Sequence, residues 1–374
     1  MTTETTGPTG LADAPPAPGT DLGLSRDDLL AMYGLMSVAR AIDERMWVLN
    51  RAGKIPFVIS GQGHEGAQGA IAYPLRKGHD WMVPYYRSVA SLLTFGMHPR
   101  EIMVAQFARA VDPSSGGRQM PGHYGTAERN ILSVSSPVAT QVLHATGIAY
   151  AAKLRQTGQV AITYLGEGSS NQGDFHEALN FAGIHKLPVV FVVENNGYAI
   201  SVPMNLQSAV EDIAVRGAGY AMPGIIADGS DVLACYQIGR DAIERARAGE
   251  GPTLIEAKVT RMTAHSSDDQ QTKYRSVDEI EAMKGSDPLP RYRERLRAAG
   301  VLDDAGEQRI GEEARQVVED ATDWAEAQVD PDPITAQQHV YAAAPPARMD
   351  DSLWRSARFM GDGGPLHAEE SDRS

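Results

Sequence analysis

Two short segments of the chain are almost continuously apolar, residues 159–165 and 187–193. Runs of this length are typical of parallel strands that helices cover on both faces. Between the two runs, apolar residues recur at helical spacing, at Phe175, Ala178, Leu179, Ala182 and Ile184. The pattern therefore predicts a strand, a glycine-rich turn, a helix of about three turns and a second strand.

Two further strands are predicted at residues 224–229 and 252–259, and a helix through residues 232–236 separates them. Strands that alternate with helices indicate an α/β fold with a doubly wound, mainly parallel sheet. Ligands of such folds bind at the carboxyl ends of the strands. Candidate chemistry is therefore expected directly after the predicted strands.

Helices are also expected before the sheet. Ser25 is a favourable helix N-cap, and apolar residues between positions 29 and 48 recur at the spacing of an amphipathic helix. A glycine-rich loop at residues 60–66 follows, and a helix is predicted from about Ala67. The sheet therefore has a helical N-terminal extension.

The C-terminal part of the pattern is charged and helical from about Pro288, with helices predicted at residues 291–299 and 311–328. The first residues contain almost no large apolar side chain, so they cannot bury enough surface to offset the entropy of ordering. The predicted organisation is a disordered tail at residues 1–22, an α/β domain at residues 23–345 and a weakly ordered tail at residues 346–374.

The charge balance limits the classes of partner. The 374 residues include 34 basic and 48 acidic side chains, a net charge of −14. Such a chain is a poor general binder of nucleic acid or anionic membrane, because phosphate backbones require clustered lysine and arginine. A single cysteine, Cys235, and the lack of a spanning apolar run favour a cytoplasmic protein.

Oxygen ligands follow both central strands. Glu167 lies in a Gly-Glu-Gly turn after the first apolar run, and Asn195 and Asn196 follow the second. The Glu167 carboxylate, the Asn196 amide oxygen and the Tyr198 carbonyl would supply three of the about six oxygens that Mg²⁺ prefers, with a diphosphate and a water as the others. A glycine turn alone is equally consistent with a purely structural turn, but the paired asparagine segment favours the metal–diphosphate interpretation.

Five segments together carry a family resemblance: residues 117–125, 135–141, 166–168, 195–201 and 265–276. They resemble the alpha subunit of the thiamine-diphosphate-dependent 2-oxo acid dehydrogenases, most closely the branched-chain form. The resemblance implies the diphosphate-binding fold of that family. It also implies oxidative decarboxylation of 2-oxo acids of the 3-methyl-2-oxobutanoate type, with transfer of the acyl group to a lipoyl group.

The resemblance also implies a site for thiamine diphosphate and Mg²⁺, in which Glu167, Asn196 and the Tyr198 carbonyl hold the metal. A tyrosine hydroxyl, a guanidinium group and the amino end of a helix all suit phosphate oxygens. The residues that the family pattern assigns to the cofactor are Tyr86, Arg87, Ser136, Val138, Gly166, Glu167, Gly168, Ser169, Asn196, Tyr198 and His265.

His265 matches a family histidine beside the diphosphate that is implicated in passing the acyl group to the lipoyl arm. A near-neutral histidine pKa suits such proton handling. Ser135, Pro137, Thr140 and Gln141 match a structural K⁺ site in the family. An ordinary Ser-Pro turn that caps the following helix is the alternative interpretation.

Glu194 departs from the family pattern, because animal branched-chain subunits have an arginine there for the diphosphate. A carboxylate cannot hold a diphosphate, so Glu194 is expected to orient a neighbour. Ser266 and Ser276 match positions that are phosphorylated in animal relatives, but solvated loop serines are the simpler interpretation. His176 lacks a second histidine at the spacing of a zinc-binding helix.

The resemblance implies partners, because only one diphosphate-binding α/β unit is apparent. A beta subunit would complete the active site in an α2β2 heterotetramer, which would serve a lipoyl-bearing acyltransferase. A self-contained thiamine enzyme would need a second α/β domain, for which the chain is too short. A pyruvate or acetoin dehydrogenase alpha subunit remains an alternative, as does a non-catalytic nucleotide-binding or scaffold module.

Overall fold

The computed structural model of the chain describes residue 19, residues 22–134 and residues 136–340. Three sequence predictions lie wholly or mostly outside these residues: Ser135, the tail at residues 1–22 and the tail at residues 346–374. None of the helices within the described ranges is long and apolar enough to cross a membrane.

The chain divides into two compact units, Met1–Pro331 and Asp332–Ser374. The first contains the sheet and its flanking helices. In the second, Asp332 accepts a hydrogen bond from the backbone of Ile334 and begins a short 3₁₀ helix, Pro333–Gln337. The boundaries predicted from the sequence for the α/β domain stay a prediction.

A five-stranded sheet lies at the centre of the first unit, and all its neighbouring strands are parallel. The strands of this sheet are β1 (Trp81–Val83), β2 (Ala161–Gly166), β3 (Val189–Asn195), β6 (Gly224–Asp228) and β7 (Thr253–Lys258), and a separate antiparallel ribbon consists of β4 (Tyr198–Ala199) and β5 (Val202–Pro203). The spatial order is β1-β2-β3-β7-β6. The predicted α/β fold with a mainly parallel sheet is therefore confirmed.

Helices cover both faces of the sheet, and further helices precede and follow the sheet along the chain. They are α1 (Arg26–Arg51), α2 (Glu65–Ala72), α3 (Val89–Phe95), α4 (Pro99–Gln106), α5 (Thr140–Arg155), α6 (Gly173–His185), α7 (Met204–Gln207), α8 (Val232–Arg247), α9 (Val277–Met283), α10 (Pro288–Ala298) and α11 (Asp304–Glu326). Ser25 caps α1 as predicted, and its hydroxyl accepts a hydrogen bond from the backbone of Asp28.

Several elements differ from the sequence prediction, among them α11 and β1. The predicted start of the last helix at residue 311 is wrong, because Asp303 accepts a hydrogen bond from the Gly306 backbone and begins α11 seven residues earlier, at Asp304. β1 was not predicted. Three residues are too few for a periodic signal, and pairing with β2 makes this segment a strand.

The two central strands divide the apolar side chains between two cores. Successive side chains of a strand point to opposite faces. Ile162 and Tyr164 of β2 pack into the core that contains α1, α2 and α8, whereas Leu165 and Phe191 pack into the core that contains α5 and α6. Because both faces are covered, the strands show continuous rather than alternating apolar runs.

The register of β2 and β3 determines where the candidate chemistry lies. Gly166 is paired with Glu194, so the two strands end at the same edge of the sheet. The turn that contains Glu167 and the segment that contains Asn196 therefore begin side by side. Residues almost thirty positions apart along the chain become neighbours through this pairing.

A buried carboxylate on α1 holds the glycine-rich loop at residues 60–66. One oxygen of Asp43 accepts a hydrogen bond of 2.7 Å from the Gly61 backbone. The loop also packs closely on the segment after β7. Gly63 has a φ of +90°, and a Cβ atom there would lie 1.8 Å from the Thr260 carbonyl oxygen. Only glycine satisfies both conditions.

The substitution Asp43→Asn should remove a pH dependence of stability. Burial first, and then the nearby Glu65, raise the pKa of Asp43 to about 7. In the folded protein the Asp43 carboxyl group therefore keeps a proton that it loses at about pH 4 in the unfolded chain. This contribution to stability is complete below about pH 4 and is lost as the pH rises through about 7.

Thermal unfolding at about pH 5 and about pH 8 measures this effect. The Tm of the wild-type protein should fall more between the two pH values than the Tm of Asp43→Asn. Equal changes in the two proteins would contradict the assignment of this titration to Asp43.

Candidate active site

A cavity of about 480 Å³ opens at the carboxyl ends of β2 and β3. This is the position at which a doubly wound sheet binds its ligands. The eleven residues assigned to the cofactor by the family pattern all line it: Tyr86, Arg87, Ser136, Val138, Gly166, Glu167, Gly168, Ser169, Asn196, Tyr198 and His265. The fold thus brings these residues together, while their roles in binding stay predictions.

The three predicted metal ligands form one hydrogen-bonded group. Glu167 is buried, and one of its oxygens accepts a hydrogen bond of 3.3 Å from the Asn196 backbone. The Asn196 side-chain oxygen in turn accepts one of 3.2 Å from the Tyr198 backbone. The second Glu167 oxygen accepts one of 3.2 Å from the amide of Gln207, at the end of α7. Sequence reasoning missed Gln207, because no motif links it to the turn.

Close packing shapes this part of the cavity. A Cβ atom on Gly168 would lie 2.6 Å from the Cβ atom of Ala199, so only glycine lets the turn approach the ribbon. The two adjacent asparagines also have different roles. The Asn195 amide points away from the cavity and donates a hydrogen bond of 2.7 Å to Glu256, which leaves Asn196 as the one that lines it.

The residues around Glu167 fit a hard cation with a phosphate ligand. In the part of the chain that the structure describes, no three His, Cys, Asp or Glu side chains cluster as a metal site of that type requires. A cation beside Glu167 would need amide, carbonyl and ligand oxygens, a set that Mg²⁺ accepts. The Gln207 Oε1 atom is buried and has no hydrogen-bond partner among the described residues, so it is a further free oxygen nearby.

Arg87, Tyr86 and His265 form another wall of the cavity. Arg87 is 2% exposed and donates a hydrogen bond to the Ser60 carbonyl oxygen. Its guanidinium carbon lies 5.4 Å from the centre of the Tyr86 ring. The rings of Tyr86 and His265 meet edge to face at 6.1 Å. Among the residues that the structure describes, this buried guanidinium group has no carboxylate partner, which favours an anion at this wall.

His265 is neutral at pH 7 in this environment. Burial, followed by the positive charges of Arg87 and Arg261, lowers its pKa to about 4, and Asp269 opposes this effect. The near-neutral pKa that the sequence suggested is therefore wrong. Arg87 can only donate, and its terminal nitrogen lies 3.4 Å from His265 Nδ1, so the proton of the neutral ring lies on Nε2.

A network of polar side chains holds the loop that contains His265. Asp269 accepts hydrogen bonds from the His265 backbone, at 2.8 Å, and from the Tyr274 hydroxyl. Arg261 donates to the carbonyl of Ile200 and to the Tyr274 hydroxyl, both at 2.8 Å. Sequence reasoning assigned no role to Arg261 or to Tyr274, although Tyr274 lies in a segment that carries the resemblance. The contact of Arg261 with Ile200 joins residues that become neighbours only in the folded chain.

The two serines that resemble phosphorylated positions have structural contacts. The interpretation of Ser266 as a solvated serine is wrong, because it is buried and its hydroxyl accepts a hydrogen bond from the backbone of Asp268. Ser276 is exposed and is the N-cap of α9, where it accepts a hydrogen bond of 3.1 Å from the Glu279 backbone. Phosphorylation of either serine stays untested.

His123 also lines the cavity and was not predicted. Its Nδ1 atom lies 2.8 Å from the Met120 carbonyl oxygen, which can only accept, so the ring proton lies on Nδ1. The Nε2 atom then accepts a hydrogen bond of 2.9 Å from the Ser136 hydroxyl. The Ser136 side chain is thereby oriented at the edge of the cavity.

The predicted K⁺ site stays a prediction, since Ser135 lies outside the described residues. Of the remaining ligands, Gln141 is buried and its amide donates a hydrogen bond of 3.0 Å to the Tyr164 carbonyl oxygen. Thr140 and Pro137 lie at the start of α5. The N-cap residue of α5 is Ala139, whose side chain makes no capping hydrogen bond. The alternative of a helix-capping Ser-Pro turn stays open with the K⁺ site, because Ser135 lies outside the described residues.

Comparison with known proteins gives the relationship of the chain. A family profile described as the dehydrogenase E1 component matches residues 33–334. The chain is 51% identical over 321 residues to the 2-oxoisovalerate dehydrogenase subunit alpha of Bacillus subtilis (strain 168), with 86% of this chain and 97% of the relative covered.

Two other relatives are more distant. The mitochondrial 2-oxoisovalerate dehydrogenase subunit alpha of Homo sapiens is 36% identical over 352 residues, with 93% of this chain and 79% of the relative covered. The 3-methyl-2-oxobutanoate dehydrogenase subunit alpha of Mycobacterium tuberculosis (strain ATCC 25618 / H37Rv) is 39% identical over 294 residues, with 79% of this chain and 77% of the relative covered. The resemblance stated from the motifs is confirmed, and the chain belongs to the dehydrogenase E1 component family.

Proposed function

We propose that this chain is the alpha subunit of a branched-chain 2-oxo acid dehydrogenase. It catalyses the thiamine-diphosphate-dependent oxidative decarboxylation of acids of the 3-methyl-2-oxobutanoate type and the transfer of the acyl group to a lipoyl group. The observation that carries the proposal is the convergence of Glu167, Asn196 and Arg87 on one cavity. The names of its relatives, 2-oxoisovalerate and 3-methyl-2-oxobutanoate dehydrogenase subunit alpha, support the substrate class.

The chain's own residues hold the charged end of the cofactor in this proposal. Glu167, the Asn196 amide and the Tyr198 carbonyl would hold Mg²⁺, and the metal would supply positive charge for the diphosphate oxygens. Arg87 supplies a fixed guanidinium group for the same oxygens. Thiamine diphosphate, when bound, supplies the carbon nucleophile and the electron sink for decarboxylation. The protein contributes binding, orientation and electrostatics.

The rest of the cavity wall is apolar and suits an aliphatic acyl chain. Phe57, Ile59, Met120 and Val138 all line the cavity beside the polar residues described above. Apolar walls exclude water from the reacting groups and favour a branched aliphatic side chain over a methyl group. One methylene group is worth about 1–3 kcal/mol of discrimination, so the wall supports but does not alone decide the substrate.

The proposal includes partners. As an alpha subunit, the chain works with a beta subunit that completes the active site, in an α2β2 heterotetramer. A lipoyl-bearing acyltransferase receives the acyl group. His265 is partly exposed beside the buried Arg87 and is assigned the proton handling of that transfer. Its neutral ring carries a proton on Nε2, through which it can donate a hydrogen bond.

Substrate preference tests the branched-chain assignment. The chain co-expressed with its beta subunit should turn over 3-methyl-2-oxobutanoate and 4-methyl-2-oxopentanoate with kcat/KM values about 10-fold or more above that of pyruvate, because the apolar wall rewards the extra methyl groups. A preference for pyruvate would identify a pyruvate dehydrogenase. Failure to turn over any 2-oxo acid would favour a non-catalytic nucleotide-binding or scaffold module.

The metal assignment is tested by ligand substitutions. Glu167→Gln and Asn196→Ala should each weaken Mg²⁺-dependent binding of thiamine diphosphate by more than about 100-fold, because residues that only support ligands are worth roughly 10–100-fold. Gln207→Leu should fall in that lower range. Titration calorimetry of the complex with the beta subunit measures the affinity. Asn180→Ala, on the exposed face of α6, is the control. Unchanged affinity in both ligand variants would contradict the assignment of Glu167 and Asn196 as metal ligands.

The charge state of His265 gives a separate prediction. NMR titration of the labelled imidazole should find a pKa of about 4. Arg87→Gln removes a positive charge that disfavours the imidazolium form, so the pKa should rise toward the ordinary value of roughly 6.5 without reaching it, since burial remains. A wild-type pKa at the ordinary value, or no rise in the variant, would be inconsistent with the described wall.

A further inference from the structure

A buried polar cluster lies next to the cavity, around the carboxylate of Glu194, and one of its members, Tyr85, lines the cavity. This side chain is fully buried at the end of β3. One oxygen, Oε2, accepts three hydrogen bonds: 2.6 Å from the Tyr85 hydroxyl, 2.6 Å from His64 Nδ1 and 3.1 Å from the Gln68 amide. The donors come from α2, the residue before it and the segment after β1.

The cluster is costly as a purely structural feature. The second carboxylate oxygen of Glu194 is buried and has no hydrogen-bond partner among the described residues, and the same holds for His64 Nε2. A buried polar atom without a partner costs about 1–3 kcal/mol. Apolar side chains of similar volume often stabilise a core better than buried charged groups do. The cluster is thus better explained by what it orients than by the stability it adds.

Two of the three donors, Tyr85 and Gln68, connect Glu194 to the segment that contributes Tyr86 and Arg87. Tyr85 precedes them, and its ring lies 4.8 Å from the ring of Tyr86. The Gln68 amide also donates a hydrogen bond of 3.0 Å to the carbonyl oxygen of Arg87. Its side-chain oxygen accepts one of 3.1 Å from the backbone of Ala90. Hydrogen bonds therefore fix this segment at Tyr85, Arg87 and Ala90.

The direction of the Arg87 guanidinium group depends on this fixed backbone. The group reaches the Ser60 carbonyl and the His265 ring across the cavity wall. A displacement of about 1 Å in a group that binds a charged ligand can cost on the order of 100-fold in function. Anchoring of the segment by Glu194 would hold the guanidinium group where a diphosphate oxygen is expected.

We propose that Glu194 is a positioning residue for diphosphate binding, which acts through Tyr85 and Gln68 on the segment that contributes Tyr86 and Arg87. This inference rests on the proposed function. It also accounts for a carboxylate at a position where a direct contact with the diphosphate is excluded, because Glu194 itself does not line the cavity, whereas one of its three donors, Tyr85, does.

The substitutions Glu194→Gln and Tyr85→Phe test the proposal. Glu194→Gln offers the three donors a neutral amide oxygen, which is a weaker acceptor than a carboxylate, and leaves its NH2 group at the buried place of the other carboxylate oxygen, where no described residue accepts from it. Tyr85→Phe removes a single hydroxyl and leaves the ring in place, so it decides the outcome if Glu194→Gln does not fold. The matched control is Tyr292→Phe. Tyr292 is equally buried, but its hydroxyl donates to the Leu29 carbonyl, away from the cavity.

Binding is measured by titration calorimetry on the chain in complex with its beta subunit, with Mg²⁺–pyrophosphate and Mg²⁺–thiamine diphosphate as the probes. Glu194→Gln and Tyr85→Phe should each weaken binding of both probes by about 10-fold, as expected for a residue that orients a binding group. Tyr292→Phe should bind as the wild type does. Wild-type affinity in both test variants would overturn the proposal while the proposed function stands.

A double-mutant cycle separates positioning from general loosening of the fold. In the Arg87→Gln background, Glu194→Gln should weaken pyrophosphate binding less than about 2-fold, because the group that it positions is gone. A full additional loss of about 10-fold would show that Glu194 acts independently of Arg87 and would overturn the proposal. If the wild-type complex binds neither probe, the proposed function fails and this inference fails with it.

Discussion

The parallel pairing of β2 with β3 is the constraint on which the site depends. Because Gly166 is paired with Glu194, the two strands end together, and the segments that follow them share one edge of the sheet. A shift of one residue would send each apolar side chain of β2 to the opposite face. The packing of Ile162 and Leu165 into different cores therefore fixes the register and, with it, the distance between Glu167 and Asn196.

Two buried groups beside the cavity are positively charged, whereas the net charge of the whole chain is negative. A protein with a net charge of −14 encloses buried guanidinium groups, Arg87 and Arg261, beside its candidate site. Their partners are mostly carbonyl and hydroxyl oxygens, so much of their charge is not neutralised within the wall. The same charges and the same burial keep His265 neutral. An anion bound at this wall would gain from an arrangement that is costly without one.

Polar residues behind the cavity connect distant parts of the chain. Asp43 on α1 holds the glycine-rich loop, and that loop accepts a hydrogen bond from Arg87 through Ser60. Glu194 on β3 reaches the same arginine from the other side, through Gln68. Two buried acidic side chains are thus linked to Arg87, Asp43 to its guanidinium group through the loop and Glu194 to its backbone carbonyl through Gln68. The position of the cavity wall therefore depends on how the helices pack on the sheet.

Much of the site could be predicted from the sequence, because its candidate ligands directly follow strands that are recognisable as apolar runs. The residue types at Glu167 and Asn196 specify hard oxygen chemistry, and their places after parallel strands bring them together. Gln207 and Tyr85 could not be predicted in this way. Their contacts join segments with no shared motif, and only the folded chain makes them neighbours.

The sequence by itself determined the parallel α/β architecture, the position of the candidate site at one sheet edge and the family resemblance. These follow from local patterns: apolar periodicity, glycine turns and short motifs. The tertiary structure decided the charge state of His265, the burial of Ser266 and the contacts of Glu194. The physical reason is that pKa values and hydrogen-bond partners depend on desolvation and on charges from distant segments, which no local pattern encodes.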